Sequence, residues 1–314
     1  MRVLISGTCR PELNSNYGLI EAIAQGFEQL DGPDVQLVQL GQLIPAIEHW
    51  RPHLTLLVGG LALETVPLAI VHHLCQRVAS ALVFWSLEDP YEIDHARQQG
   101  HWFDLICTTD FASRCFYPGH WRVEHLPLAA PPQPEPQGQQ RLTPPGRWLF
   151  CGVPFPNRLT WIRAIQAARP AGLLLGPGWP SFAAPTQVGS QRVGLAVLRQ
   201  LYGVMPITLY LGRVHNLANG AGVMASTPGP RLFEAAGFGG CQLVCGAGLE
   251  TQLFYEPQTE LLWADTPEQA IDQLLWAEAH PKAVNSIARN AWRRTQAEHL
   301  YRHRAQTLLG WIKP

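Results

Sequence analysis

PGPRLFEAAGFGG, residues 228–240, is the stretch on which the reading of this chain turns. Gly229 suits an N-cap, Pro230 the first helical position, and Gly239 or Gly240 a left-handed close, so a short helix is bounded at both ends. Arg231 falls in its first turn, where the helix dipole favours an anion over a cation. A bound phosphate resolves that conflict, because free backbone N–H groups and the guanidinium then share one ligand. Glu234, three residues on, is placed to take ribose hydroxyls beside that phosphate. The plainer alternative is an Arg231–Glu234 surface pair worth about 0.2–0.5 kcal/mol.

Upstream of this helix the chain alternates apolar runs with helical patterning, as parallel strands and their crossovers do. RVLIS (2–6) leads into a loop over 7–18 and a helical segment near 15–30. Further apolar runs stand at 35–40, 54–58, 81–85 and 105–107, with a helical pattern over 64–78. The proline-rich stretch 129–146 reads as an extended interdomain linker. A second series begins with RWLFCG (147–152) and continues through a helix near 157–168, LLLG (173–176), ITLYL (207–211), the opening helix and CQLVC (241–245). From 267 to 311 the pattern is helical. The fold class expected is α/β, GT-B-like: two Rossmann-like domains facing a central cleft, with a helical C-terminus. The domains expected are 1–128, a linker over 129–146, and 147–314, the last helix packing back on the first domain.

At 314 residues the chain has room for two cores. Its 23 basic and 24 acidic residues nearly cancel, which argues against nucleic acid or an anionic membrane as main partner and for a small polar ligand. No apolar run approaches the ~20 residues of a membrane span, and no signal-peptide layout opens the sequence, so a cytoplasmic protein is expected. The seven scattered cysteines contain no CxxC and read as reduced core residues. His299 and His303 are spaced i,i+4 on a helix, but arginines beside them favour a surface pair, and no metal site is expected.

Four pieces of the second half resemble the C-terminal domain of the CgeB-like, spore-maturation family of GT-B glycosyltransferases. They are CGVPFPNR (151–158), LLLGPGW (173–179), TPGPRLFEAAGFGGCQLV (227–244), and the final helices with HP (280–281) and AEHLYRHR (297–304). The first half is similar to the domain often found with it, through FWSLEDPYEID (84–94), FDLICTTD (103–110) and HLPLAA (125–130). The resemblance implies a nucleotide-sugar donor held by the C-terminal domain and an acceptor of unknown nature, with no other cofactor. One departure stands out: where the family tends to show an LNIHR-like strand end, this chain has LYLGR (209–213), with Gly212 in place of a histidine.

Candidate donor-binding residues are therefore Arg158, Trp179, Arg213, Gly229, Arg231 and Glu234. Arg158, after the strand 148–151, can grip a diphosphate opposite Arg231, or simply be a solvated helix-start residue. Trp179 follows two glycines and can stack a nucleobase, or lie in the core. The Gly-rich run 220–229 can line the phosphate pocket, or be a flexible loop. In the first half, Glu88 and Asp89 follow a strand and reach the sheet's carboxyl edge, where a general base belongs, with Asp110 behind them. Asp89 can equally cap a turn before Pro90. Arg10, Glu12, Asn14 and Asn16 in the first loop can meet sugar or acceptor, or be solvated. The function expected is sugar transfer from a nucleoside diphosphate sugar. The alternatives are a catalytically silent nucleotide-sugar-binding sensor or scaffold, and a nucleotide-sugar epimerase.

Overall fold

The computed structural model describes residues 1–10, 12, 17–62, 66–133, 147–181, 187–191, 193–246 and 250–312. Residues 134–146 of the proline-rich stretch, together with Asn14 and Asn16, lie outside them. The chain forms two compact units. Unit 1 comprises Met1–Pro131, Asn216–Thr227 and Leu300–Pro314, and unit 2 comprises Pro132–His215 and Pro228–His299.

Unit 1 begins with β1 (Arg2–Gly7), α1 (Tyr17–Glu28), β2 (Asp34–Val38), α2 (Leu43–Trp50), β3 (Leu54–Gly59) and α3 (Leu68–Val78). It continues with β4 (Ala81–Ser86), α4 (Ile93–Gln99), β5 (Leu105–Thr108) and β6 (Val123–His125). The sheet order is β2-β1-β3-β4-β5-β6, with every pairing parallel. β3 is buried at every position, because helices cover both faces of a parallel sheet and leave no side for polar residues. One face packs Leu4, Leu57, Leu82, Phe84 and Ile106 against apolar residues of α2, α3 and α4.

Unit 2 contributes β7 (Trp148–Cys151), α5 (Pro156–Ala168), β8 (Gly172–Leu175), β9 (Gln187–Gly189), α6 (Leu195–Val204) and β10 (Ile207–Leu211). After the return to unit 1 come α7 (Pro230–Gly237), β11 (Gln242–Cys245), β12 (Leu262–Ala264), α8 (Pro267–Ala279) and α9 (Pro281–Glu298). Its parallel sheet runs β12-β11-β10-β7-β8-β9, the doubly wound order in which the chain reverses direction between β7 and β10. Alternation divides the core. Trp148 and Phe150 face α5 and α8, while Leu149 and Leu175 face α6 and α7 through Tyr202, Ala235 and Phe238.

The chain ends in α10 (Tyr301–Ile312), which completes unit 1 against α1. Trp85 of β4 meets the Tyr301 ring edge-on at 6.4 Å. Arg304 is buried on α10 and donates to the carbonyls of Pro127 and Leu128. The peptide N–H of Tyr301 donates to the carbonyl of Ala130 at 3.1 Å, so residues 129–130, read in the sequence as the start of the linker, are held in unit 1. The two helices approach closely at Gly26, where a Cβ would lie 2.6 Å from the Tyr301 backbone carbon. In an open helix, glycine to alanine stabilises. Here we expect Gly26→Ala to destabilise the protein by about 1–3 kcal/mol through overpacking, read from denaturant unfolding, and to do so more than Gly18→Ala, whose site is open.

Candidate active site

In unit 2 the carboxyl ends of β7 and β10 flank the point of chain reversal, where ligands of such sheets bind. Arg158, on the first turns of α5, is aimed at this point but ends on the protein itself. Its Nε donates to the carbonyls of Leu211 and Gly212 at 3.2 Å each, Nη2 to Leu211 at 2.9 Å, and Nη1 to Val153 at 3.2 Å. The guanidinium also lies over the rings of Phe150 and Phe155. Arg158 therefore ties the β7 loop to the end of β10. This differs from a diphosphate grip because strand-end carbonyls, which point out of the sheet unpaired, claim its donors first.

Trp179 is likewise turned inward. Its indole N–H donates to the Gly152 carbonyl at 2.7 Å, and the ring meets Phe150 edge-on, so the indole holds the β7 loop and its face is in the core. A Cβ on Gly176, which has φ +126°, would lie 2.4 Å from that same carbonyl. Arg213 follows β10 half-buried, in a segment fixed by Asn157, whose amide donates to Gly212 and accepts from the Val214 N–H.

Helix α7 starts as its punctuation demands. Gly229 is the N-cap, with its N–H donated to the Tyr210 hydroxyl at 2.6 Å, and Pro230 is the first residue. At the far end Gly239 takes φ +77°, while the N–H groups of Gly240 and Gly239 reach back to Ala235 and Ala236. Those two bonds make a complete Schellman close. Arg231 and Glu234 are ion-paired, yet the pair is not a surface pair. The Glu234 side chain is 1% exposed and that of Arg231 40%. The arginine offsets the desolvation of a carboxylate buried that deeply, and removing it strands the carboxylate at about 3–5 kcal/mol. Burial pushes the thiol of Cys151, at the end of β7, above its ordinary pKa, and the charges of Arg231, Glu234 and Arg158 all act on it.

In unit 1 the acids after β4 separate by burial. Glu88 is half-exposed. Asp89, reached through a cis bond to Pro90, is buried and accepts from the Ser86 hydroxyl at 2.8 Å and the Tyr117 hydroxyl at 2.7 Å. Both its oxygens are thus engaged inside the unit, which is the turn-ordering arrangement and not that of a base open to an acceptor. Burial pushes its pKa up to about 6, against hydrogen bonds from Thr108, Tyr117 and Ser86.

Glu92, which the motif offered without singling it out, is the third acid. It is buried and accepts from the Leu61 N–H at 2.5 Å, at the loop after β3. Gly60 makes room for it, since a Cβ there would lie 2.1 Å from its Oε1. Asp110 lies behind, buried, and accepts the N–H and hydroxyl of Ser113 and of Ser226 and the N–H of Thr227. The Gly-rich run after β10 is accordingly a fixed strap and not a flexible loop. Gly220 donates to Asp94, and the N–H groups of Leu217 and Ala218 to the carbonyl of Tyr91. Arg10 and Glu12 are exposed.

His299 gives its Nε2 to the Phe254 carbonyl within a ring of Phe233, Phe254 and Tyr255, while His303 pairs with the Leu300 N–H. The two imidazoles have different partners. Among the described residues no group of three His, Cys, Asp or Glu could hold a metal ion.

Burial, opposed by the Leu61 N–H and aided by Glu88 and Asp89, pushes Glu92 up to about 7 from an ordinary value near 4.5. Between those values the folded chain keeps a proton that the unfolded chain has lost, so stability falls as pH rises through that window and levels above it. Asp89 acts in the same sense up to about 6. Burial pushes His125 down to about 4 from 6.5, which acts in the opposite sense below 6.5, so thermal melts should decline most clearly between about pH 6.5 and 7.5, where only the Glu92 contribution remains. Glu92→Gln, which cannot ionise, should remove most of that decline, whereas an equal decline would assign it to other groups.

Residues 158–310 match a family described as glycosyl transferase-like. No curated protein matches the chain by sequence. Among solved structures, sucrose-phosphate synthase from Thermosynechococcus elongatus superposes with a TM-score of 0.66 at 11% identity, over 99% of this chain and 97% of that one. The lipopolysaccharide outer core galactosyltransferase WaaB in its apo form gives 0.56 at 11% identity, over the full length of both. UDP-GlcNAc 2-epimerase from Neisseria meningitidis, bound to UDP-GlcNAc, gives 0.52 at 10% identity, over 99% of each chain. At such identities the likeness is one of fold. That fold is the one these sugar-nucleotide proteins share, and the glycosyl transferase-like family match falls within the second half of the chain.

Proposed function

We propose that this glycosyltransferase draws on a nucleoside diphosphate sugar bound by unit 2 and passes the sugar to an acceptor hydroxyl. The observation that carries the reading is the buried Glu234 paired with a half-exposed Arg231 at the start of α7, inside the segment that matches the glycosyl transferase-like family. In this reading Arg231 and the α7 dipole take the diphosphate, Gly229 serving as the N-cap with its own N–H held by Tyr210, and the departing charge is met by these fixed groups without a cofactor or bound metal. Glu234, positioned by its pair with Arg231, takes the ribose hydroxyls. We assign Arg213, at the end of β10, a second contact to the phosphates, while Arg158 and Trp179 keep the β7 loop in shape.

In unit 1 the base falls to Glu88 instead of Asp89, since both Asp89 oxygens are committed to Ser86 and Tyr117. Membership of the CgeB-like branch, with its departure at Gly212, is the finer assignment we favour. The seven cysteines are free thiols, which suits a reducing compartment, and we assign the protein to the cytoplasm.

Calorimetry with a panel of nucleoside diphosphates tests the donor site. Arg231→Ala should weaken binding by roughly 1.5–3 kcal/mol and also destabilise the fold, because the buried Glu234 loses its ion-pair partner. Arg231→Ala/Glu234→Gln should recover the stability without the binding. Unchanged affinity in the folded double variant would sink the assignment.

Product analysis with the panel's sugar derivatives distinguishes transfer from epimerisation of the donor and from binding alone. For the base, Glu88→Gln should lower turnover by roughly 10²–10⁴-fold at unchanged donor affinity. Asp89→Asn should instead lower the melting temperature, and full turnover in Glu88→Gln would place the base elsewhere.

A further inference from the structure

The strap 216–227 leaves the end of β10, crosses to unit 1, and returns to unit 2 as α7. Its last two residues are clamped from both sides. Asp110 Oδ1 accepts the N–H groups of Ser226 at 2.6 Å and Thr227 at 2.9 Å, along with the Ser226 hydroxyl. In return the Thr227 hydroxyl oxygen accepts the Phe111 N–H at 3.0 Å, and the Ser226 hydroxyl oxygen accepts the Ala112 N–H at 3.2 Å. The His125 Nε2 lies 3.1 Å from the Thr227 hydroxyl. Asp110 Oδ2 is occupied by the N–H and hydroxyl of Ser113, which pins the carboxylate so that Oδ1 can point only at the strap.

From this clamp to the first residue of α7 the chain is Thr227-Pro228-Gly229-Pro230, at most about 10 Å of backbone. Two prolines fix φ along it, and the N–H of Gly229 is itself bound by Tyr210. A segment so short and stiff transmits the position of its anchored end. We infer that Asp110 is a positioning residue for the first turn of α7, acting through the strap, so that a carboxylate in unit 1 sets the affinity of the Arg231–Glu234 site for a nucleoside diphosphate. The inference rests on the donor reading above for its ligand, and on geometry alone for the anchorage.

Three measurements on the whole chain separate those parts. Hydrogen exchange by mass spectrometry, without ligand, should show faster exchange in Asp110→Ala over 226–234, covering strap end and first turn of α7, by about tenfold or more. Asp110→Asn, which keeps one carbonyl oxygen for the strap, should restore part of the protection. Thr227→Val, which removes the reciprocal bond and leaves Asp110 intact, should reproduce the effect should Asp110→Ala fail to fold.

In calorimetry with UDP, ADP, GDP and CDP, Asp110→Ala should raise Kd for the preferred diphosphate by about tenfold. In turnover assays it should raise the donor KM with kcat held within about twofold, which a general loss of structure would not do. Faster exchange confined to 226–227, with 231–234 and Kd unchanged, overturns the inference. A wild-type protein that binds none of the four diphosphates overturns the donor reading instead, and the exchange data still decide the anchorage.

Discussion

Parallel strands buried on both faces leave such a protein one place to do chemistry. Side chains of β3 have no solvent side, and those of β7 are divided between two apolar layers, so polar function is pushed to the loops beyond the strand ends. Those loops carry the carbonyls that the sheet leaves unpaired. Arg158 and Trp179 answer them in unit 2. In unit 1 the Leu61 N–H, left over after β3, is answered by Glu92. The polar residues nearest each point of chain reversal are thus first of all the means by which the sheet edge is satisfied. Groups free to meet a substrate are those left after that demand is met.

This division accounts for how charge is distributed across the two edges. In unit 2 the guanidinium of Arg158 is replaceable neither by lysine, which lacks its fork of donors, nor by a neutral residue. Arg231 differs because its partner is a single buried carboxylate, which leaves part of its surface open. In unit 1 three acids within five residues incur different desolvation costs. Glu88 keeps water, Asp89 is compensated by the hydroxyls of Ser86, Tyr117 and Thr108, and Glu92 by a peptide N–H. Burial holds two of the three above the ordinary carboxylate range, which keeps the charge at this edge lower than the sequence implies.

The long-period features were legible from residues alone. Apolar runs at 54–58, 81–85 and 207–211 became central strands because full burial needs no alternation, and Gly229, Pro230 and Gly239 bounded α7 because each supplies a backbone geometry other residues resist. Strands β6, β9 and β12 were not legible. Each is three residues long and closes a sheet, where one partner suffices and little apolar pattern is needed. The direction of side chains at the strand ends was also hidden. Nothing in EDPYE tells which acid turns inward, since that depends on Ser86 and on Tyr117, which lies 28 residues away. The strap reads as glycine-rich slack because its anchors, Asp94 and Asp110, lie more than 100 residues before it.

The chain passes between its units four times, at 131, 215, 227 and 299, and that has a bearing on biosynthesis. An N-terminal domain ordinarily folds as it leaves the ribosome, before the rest of the chain has been made. Unit 1 lacks α10 until residues 301–312 are made, so the side of α1 that receives Tyr301, together with the edge of Trp85, stays uncovered while the whole of unit 2 is translated. A ribosome stalled before residue 300 therefore holds a nascent chain with two separate cores, one of them still open. Only when residues 300–312 have emerged can the first core be closed.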